Sequence, residues 1–291
     1  MSKKQALILF VFLIVIWGVN WPVTKMIVLQ MPPLWSGVVR YIFGIVVLFA
    51  VQCLTRQFII PSRHDLPVVI CMGLINMTIF TVVMVIGLQL VSVGRSAVLS
   101  YTTPLWVAPA AWLFLRESMS VRRIFGVLLG LSGVVILFNP LVLDWSDRNA
   151  LIGNGMMLGM ALLWSASILI VRGHKWAATP FQLTFWQMLL ALFLLTIAAF
   201  IVEGPPDFTL NIQLVLLLLY AGVLATSLAF WMLATINKNL PATTTSLGLL
   251  ATPVVGIVSA LIMLGEPLDL SLVIAGGLII LGIIIGTFSR A

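Results

Sequence analysis

Three polar side chains in the first apolar run, Trp17, Asn20 and Thr24, stand at i, i+3 and i+7 and so share one helix face. An amide in hydrocarbon needs a partner, so that face must point at protein or at a wet cavity. It reads either as the wall of a solute path or as interhelical packing by hydrogen bonds, and the residues alone leave both open. Trp164 and Ser167 repeat the arrangement later in the chain, which would set two tryptophans on opposite sides of a central path. Ser96, Ser100 and Thr103 line one face ahead of Pro104, with Tyr101 beside them, and Thr245 and Thr252 precede Pro253. Proline inside a helix frees a carbonyl and kinks the axis. Kinked helices at corresponding positions point to a solute site in a membrane protein. The alternative is that these hydroxyls only back-bond to their own helices. Asn76 and Thr78 in one apolar run, with Thr226 and Trp231 in another, extend the candidate lining.

Arg40 lies seven residues past Pro33, about 10 Å along its helix. From that depth it cannot easily reach water, so it should pair with a carbonyl, a polar side chain or an anionic part of a solute. The residue at the corresponding place in the second half is neutral, Gln187. Lys25, near the end of the first run, could serve the solute path or anchor to lipid headgroups. No aspartate or glutamate lies deep within an apolar run, and His64 and His174 both fall in connections. Carriers coupled to protons usually hold a carboxylate or histidine in the membrane. Transport here is therefore expected to follow a solute gradient or to be coupled by other means, with Glu117 and Glu266 capping or pairing at helix ends.

The elements that position these residues are legible from composition. Of 291 residues, 62% are hydrophobic and 8% are charged, against about 25% charged in soluble domains. A spanning helix needs about 20 mainly apolar residues. By that measure spans fall near 5–28, 34–54, 67–88, 94–115, 121–139, 151–172, 180–202, 211–235, 241–264 and 270–289. The expected fold class is thus an all-α membrane protein with ten transmembrane helices. The start, Met1-Ser2-Lys3-Lys4 and an apolar run, imitates a signal peptide, but the run is long and lacks an A-x-A-like cleavage site, so it is read as a retained span. With a cytoplasmic N-terminus, eleven of the 15 lysines and arginines fall on the inner side, Lys25, Arg95 and Arg148 on the outer, and Arg40 within a span. That bias predicts both termini inside. The net charge of +7 is accordingly topological, and no nucleic-acid partner is expected. Cys53 and Cys71 sit near inner helix ends and imply no disulfide. Trp35 and Trp145 are expected in the interfacial belt.

A duplication underlies the pattern. Pro104, Glu117 and Gly133 recur as Pro253, Glu266 and Gly282, each offset by 149 residues. Trp17, Lys25 and Pro33 recur as Trp164, Arg172 and Pro180, each offset by 147. SAVLSYTTPLWVAPAAWLFLRE at 96–117 lies over TTSLGLLATPVVGIVSALIMLGE at 244–266. The units run 1–140 and 151–291, with five expected spans each. An odd count makes the second copy enter the bilayer from the opposite side, the arrangement characteristic of secondary transporters with a site between the repeats. The Gly-rich runs GVLLGLSG at 126–133 and GLIILGIIIG at 277–286 suit close helix packing.

At WGVNWPVTK (17–25), the T-x-P segment ending in Glu at 102–117 and its copy at 252–266, the chain resembles the drug/metabolite transporter superfamily, specifically proteins with two EamA-type domains. The resemblance covers essentially the whole chain. It implies ten helices, cytoplasmic termini, and export of small metabolites, amino acids or drugs across the bacterial inner membrane. The aromatic and hydroxyl faces would suit a small amphipathic solute such as an amino acid; the same surface would accept a hydrophobic drug. A passive channel is the further alternative, since selectivity there can come from backbone carbonyls. An intramembrane enzyme would need paired aspartates, a Ser-His pair or clustered ligands at depth, and a primary pump a Walker-type loop; neither occurs. The expected partners are a small-molecule substrate and the lipid bilayer. No cofactor is expected, and two fused repeats could act as a monomer.

Overall fold

The computed structural model describes residues 3–115, 120–139, 141, 143–239 and 248–287; among them it holds helices and no strand. Glu117 and Thr245 lie outside the described residues. The first half comprises α1 (Lys3–Val28), α2 (Pro33–Leu54), α3 (Leu66–Met72), a π-helical segment (Gly73–Ile79), α4 (Phe80–Leu90), α5 (Val93–Ser100), α6 (Thr103–Leu115) and α7 (Val121–Leu137). The second comprises α8 (Arg148–Gly173), α9 (Pro180–Val202), α10 (Ile212–Leu219), a second π-helical segment (Tyr220–Leu228), α11 (Ala229–Asn239), α12 (Ala251–Leu264) and α13 (Leu270–Thr287).

Helix starts follow local chemistry. Pro33 and Pro180 occupy the first position of α2 and α9, where the missing N–H is not needed. Thr179 and Gln182 form a capping box on α9, and Asp147 caps α8 through Asn149 and Ala150. Among the described residues, six stretches are long and apolar enough to cross a bilayer: Lys4–Val28, Pro33–Leu54, Leu66–Leu90, Arg148–Ile170, Pro180–Val202 and Ile212–Leu233. Ala251–Leu264 and Leu270–Gly286 are shorter apolar helices. Large apolar side chains such as Phe12, Val46, Phe193 and Ile262 point outward. Hydrocarbon accepts such a surface and water would not. The architecture is that of a multi-pass all-helical membrane protein.

The two halves pack reciprocally. The helix α1 lies against α11 and α12, while α8 lies against α4, α5 and α6. The helix α2 meets α9 and the second π segment; α9 meets α2 and the first. The most extensive contact joins α7 to α13. There the glycines let backbones touch: a Cβ on Gly126 would stand 2.5 Å from the Gly282 carbonyl oxygen, and one on Gly133 2.6 Å from that of Ala275.

Two expectations need correction. The run at 94–115 is not one kinked helix; it breaks at Tyr101–Thr102, and Pro104 begins the next helix as the second residue of α6. Pro253 likewise stands third in α12. In a first turn proline displaces no intrahelical bond, so neither residue bends a helix interior. Among the described residues, the prolines inside helices are Pro22 in α1 and Pro109 in α6. Trp35, expected to face the membrane–water interface, instead turns inward: it is buried, donates from Nε1 to the Gly204 carbonyl at 3.1 Å and stands edge-on to Phe200. Trp145, by contrast, is exposed.

Candidate functional site

The third run of each half passes through a π-helical segment, and the two segments correspond. Gly73 opens the first and Gly222 lies near the start of the second, again 149 residues apart. At each glycine a neighbouring helix comes close: a Cβ on Gly222 would meet the Arg40 carbonyl oxygen at 2.5 Å, and one on Gly73 the Gln187 carbonyl oxygen at 3.2 Å. Arg40 and Gln187 are themselves the matched pair of α2 and α9. A π segment inserts one residue per turn and misaligns carbonyls, and hydroxyls here repair the misalignment. Thr78 Oγ1 donates to the Gly73 carbonyl at 2.8 Å and Thr226 Oγ1 to that of Ala221 at 2.8 Å. Each bond reaches five residues back.

Arg40 projects into this region. Its Nε donates to Thr226 Oγ1 at 3.0 Å, fulfilling the expectation of a polar partner. The side chain is half-buried, and its terminal Nη groups make no hydrogen bond among the described residues. Beside it Tyr41 donates to the Met77 carbonyl at 2.9 Å and lies 2.9 Å from Thr81 Oγ1. Trp17 Nε1 donates to the Ala225 carbonyl at 3.1 Å, and Tyr220 to that of Ile16 at 2.9 Å. The indole of Trp17 therefore serves the interhelical bond weighed in its sequence reading. On the same face, Asn20 Oδ1 and Thr24 Oγ1 are buried with no hydrogen-bond partner among the described residues. A buried acceptor left empty carries a cost that a solute or a water could remove. Asn76 is buried in the first π segment, Gln187 is buried on α9, and Trp231 flanks the core on α11.

The other candidates gather at the α5–α6 break. Ser100 Oγ is buried with no hydrogen-bond partner among the described residues. Thr103 donates to the Ser100 carbonyl at 3.0 Å, and Ser96 to the Ser92 carbonyl at 2.8 Å, so Ser96 back-bonds to its own helix. Ser165 Oγ back-bonds within α8 to the Ala161 carbonyl at 2.6 Å and lies 3.1 Å from the Thr103 carbonyl, while Ser167 bonds within α8 to Leu163. Thr252 is fully buried, with the Tyr101 phenol beside it. A small apolar cavity of about 20 Å³ lies against Tyr101, Leu250 and Pro253, with room for about one water. Trp164 meets Phe80 at 5.5 Å between ring centroids. Among the predicted residues the structure thus pairs Arg40 with Thr226, sets Trp17 against the same π segment, and joins Thr103 to Ser100 and Tyr101 to Thr252.

Glu266 caps a helix end, as its sequence reading expected, whereas the like roles of Glu203 and Asp65 were missed by sequence reasoning. Glu266 accepts from Val93 N at 2.9 Å and Gly94 N at 3.2 Å, capping α5. Glu203 does the same for α2, through Leu34 N at 2.8 Å and Trp35 N at 3.1 Å. Asp65 accepts from Ala177 N at 3.2 Å, Ala178 N at 3.0 Å and His174 Nε2 at 2.9 Å, just before α9. Burial alone would raise the Asp65 carboxyl, but the His174, Ala177, Ala178 and His64 bonds outweigh it and hold the group at about 2. Cations mirror this at C-termini: Lys25 donates to the Leu88 and Val91 carbonyls, and Arg95 to the Leu137 carbonyl and Asn154 Oδ1. Of the two readings open for Lys25, the structure favours neither lipid nor solute: it closes a helix end.

The profile of the EamA-like transporter family matches residues 4–139 and again 151–288. The uncharacterized transporter YoaV of Bacillus subtilis (strain 168) is 27% identical over 94% of both chains. The uncharacterized transporter YvbV of the same organism is 26% identical over the whole of this chain and 94% of its own length. The protein PagO of Salmonella typhimurium is 24% identical over 77% of this chain. A solved crystal structure superposes with a TM-score of 0.67 over 99% of both chains at 18% identity, which speaks to the fold. Two matched segments spanning the chain, helices fit to cross a membrane and transporter relatives agree: the chain belongs to the EamA-like transporter family.

Proposed function

We propose that this chain is a secondary transporter that exports small carboxylate-bearing metabolites, foremost amino acids and related solutes, by alternating access. The observation that carries the cargo class is Arg40. It is a cation within α2 with one nitrogen on Thr226 and, among the described residues, no hydrogen bond to its Nη groups. Guanidinium meets carboxylate through two parallel bonds, and in a low-dielectric setting such a contact discriminates strongly. Asn20 Oδ1 and Thr24 Oγ1, without partners among the described residues, would supply acceptors for the ammonium end of the same solute.

The proposed scaffold has ten spans in two inverted five-helix units, 1–140 and 151–291. The reciprocal packing of α1 and α8, the paired π segments and the 149-residue offsets support it. Two inverted copies of an asymmetric unit supply the inward-open and outward-open states by exchanging shapes. The eleven-to-three distribution of basic residues supports cytoplasmic termini in the bacterial inner membrane. A monomer carries out the cycle in this reading.

The test is counterflow into proteoliposomes with a panel of labelled amino acids, decarboxylated amines and a cationic hydrophobic drug, comparing wild type with Asn20→Ala and Trp164→Ala. Saturable exchange confined to the carboxylate-bearing solutes and weakened by Asn20→Ala supports the proposal. Exchange of the drug alone would assign the multidrug reading, and non-saturable flux would assign a channel.

A further inference from the structure

At the loop end of the bundle, away from the solute-path candidates, three side chains converge from both halves. Asp65 immediately precedes α3, His64 stands next to it, and His174 follows α8. Asp65 Oδ1 lies 2.9 Å from His174 Nε2 and 3.6 Å from His64 Nδ1. One ligand-capable atom from each residue falls within 4.8 Å of the others. The imidazole rings stand 5.0 Å apart at 38°, and Trp176 closes one side of His174 edge-on at 5.1 Å. The carboxylate is fully buried, and its orientation is set by backbone amides of Ala177 and Ala178 and by Ser62 Oγ at 3.3 Å. His64 remains 58% exposed, which leaves a way in from solvent.

We propose that His64, Asp65 and His174 form a binding site for one divalent transition-metal ion of the zinc–nickel–copper class, joining the two halves of the transporter. Two imidazoles and a carboxylate are the donor set this class prefers, whereas magnesium and calcium favour all-oxygen shells. Nitrogen and oxygen ligands of a tetrahedral zinc ion sit about 2.0–2.1 Å from the metal, and so about 3.3 Å from one another. The present separations bracket that value, and rotation of the exposed His64 ring by about 1.5 Å at its nitrogen closes the shell. The hydrogen now shared between His174 Nε2 and Asp65 moves to Nδ1, the other tautomer, when the ion takes its place. A carboxylate already held by two amides is the outer-shell support that fixes metal ligands. The neighbouring Arg63 and Lys175 are exposed, so solvent screens their repulsion. Three protein ligands leave a fourth position for water. The bound ion would tie the 55–65 connection of the first half to the 174–179 connection of the second, independently of which solute the transporter carries.

The experiment uses tag-free protein in detergent, titrated with Zn2+, Ni2+ or Mg2+ by calorimetry, together with the Cu2+ electron paramagnetic resonance spectrum. The expected result is one Zn2+ or Ni2+ per chain, no Mg2+ binding at the same concentrations, and a Cu2+ spectrum with coupling to two imidazole nitrogens. His64→Ala and His174→Ala should each weaken binding at least about tenfold, since a lost ligand or outer-shell partner costs 10–100-fold in affinity. His64 makes only a long contact, so His64→Ala folds and keeps the test open should His174→Ala not express. Absence of a 1:1 site in wild type, or a site that persists in His64→Ala, overturns the proposal and leaves the cluster a hydrogen-bonded latch alone.

Discussion

Glu266 offers a prediction whose size can be worked from distances. Its two oxygens accept from Val93 N at 2.9 Å and Gly94 N at 3.2 Å, and Val93 is 0% exposed. Replacing Glu266 by Ala orphans both amides at the start of α5. A hydrogen bond to a charged group contributes about 1.5–3 kcal/mol, so an unreplaced pair would cost about 3–6 kcal/mol. Glu266 is itself half-buried, water reaches part of the gap, and the net cost falls to about 2–3 kcal/mol. At about 2–4 °C per kcal/mol for chains of this size, Glu266→Ala should lower Tm by about 5–10 °C. Glu266→Gln retains one acceptor oxygen and should lose about half as much. Glu203→Ala should behave like Glu266→Ala, and the double variant should add, because the two carboxylates share no partner. The assay is thermal unfolding in detergent, with counterflow measured on the surviving protein. Glu266→Gln should still transport, since a capping carboxylate carries no proton across the membrane. A Tm within 1 °C of wild type for Glu266→Ala, or a proton flux abolished by Glu266→Gln, would refute the assignment.

Other outcomes follow from named contacts. Gly126→Leu should destabilise by about 1–3 kcal/mol or more, because even a Cβ there stands 2.5 Å from the Gly282 oxygen; denaturant unfolding checks it. Trp17→Phe removes the bond to Ala225 and should cost about 1 kcal/mol while leaving the ring packing in place, read by the same unfolding experiment. Asp65 is held at about 2, below the ordinary carboxylate value of 3.8, so its stabilisation is complete above that value and is lost as pH falls through about 2. With a chelator present, the Tm gap between wild type and Asp65→Asn should therefore be full at pH 6 and narrower at pH 3; a gap constant with pH would contradict the folded-state bonds.

Much of the scaffold was visible in residue types. Apolar length marked the spans, Pro33 and Pro180 marked helix starts, and the matched glycines of α7 and α13 foretold backbone contact. The π segments were not legible, because one extra residue in a turn leaves apolar composition unchanged. Their only signal was a glycine or alanine followed five places later by a hydroxyl, at Gly73–Thr78 and Ala221–Thr226. The break at Tyr101–Thr102 was mistaken for a kink because Pro104 suits a first turn as well as a bend. Arg40 was identified from depth alone, but its partner Thr226 lies 186 residues away and only packing brings the two together. The His64–Asp65–His174 cluster was invisible for the same reason: each residue alone reads as loop polarity.

The most direct test of the account is counterflow of a labelled amino acid against its own decarboxylated amine, in proteoliposomes holding wild type, Arg40→Lys or Arg40→Gln. A lost charge-assisted contact of about 1.5–3 kcal/mol corresponds to about 10–150-fold. The account predicts that wild type prefers the amino acid by at least about tenfold, that Arg40→Gln abolishes this preference, and that Arg40→Lys retains part of it. Equal exchange of acid and amine by wild type, or an unchanged preference in Arg40→Gln, would contradict the claim that Arg40 receives the carboxylate of the cargo.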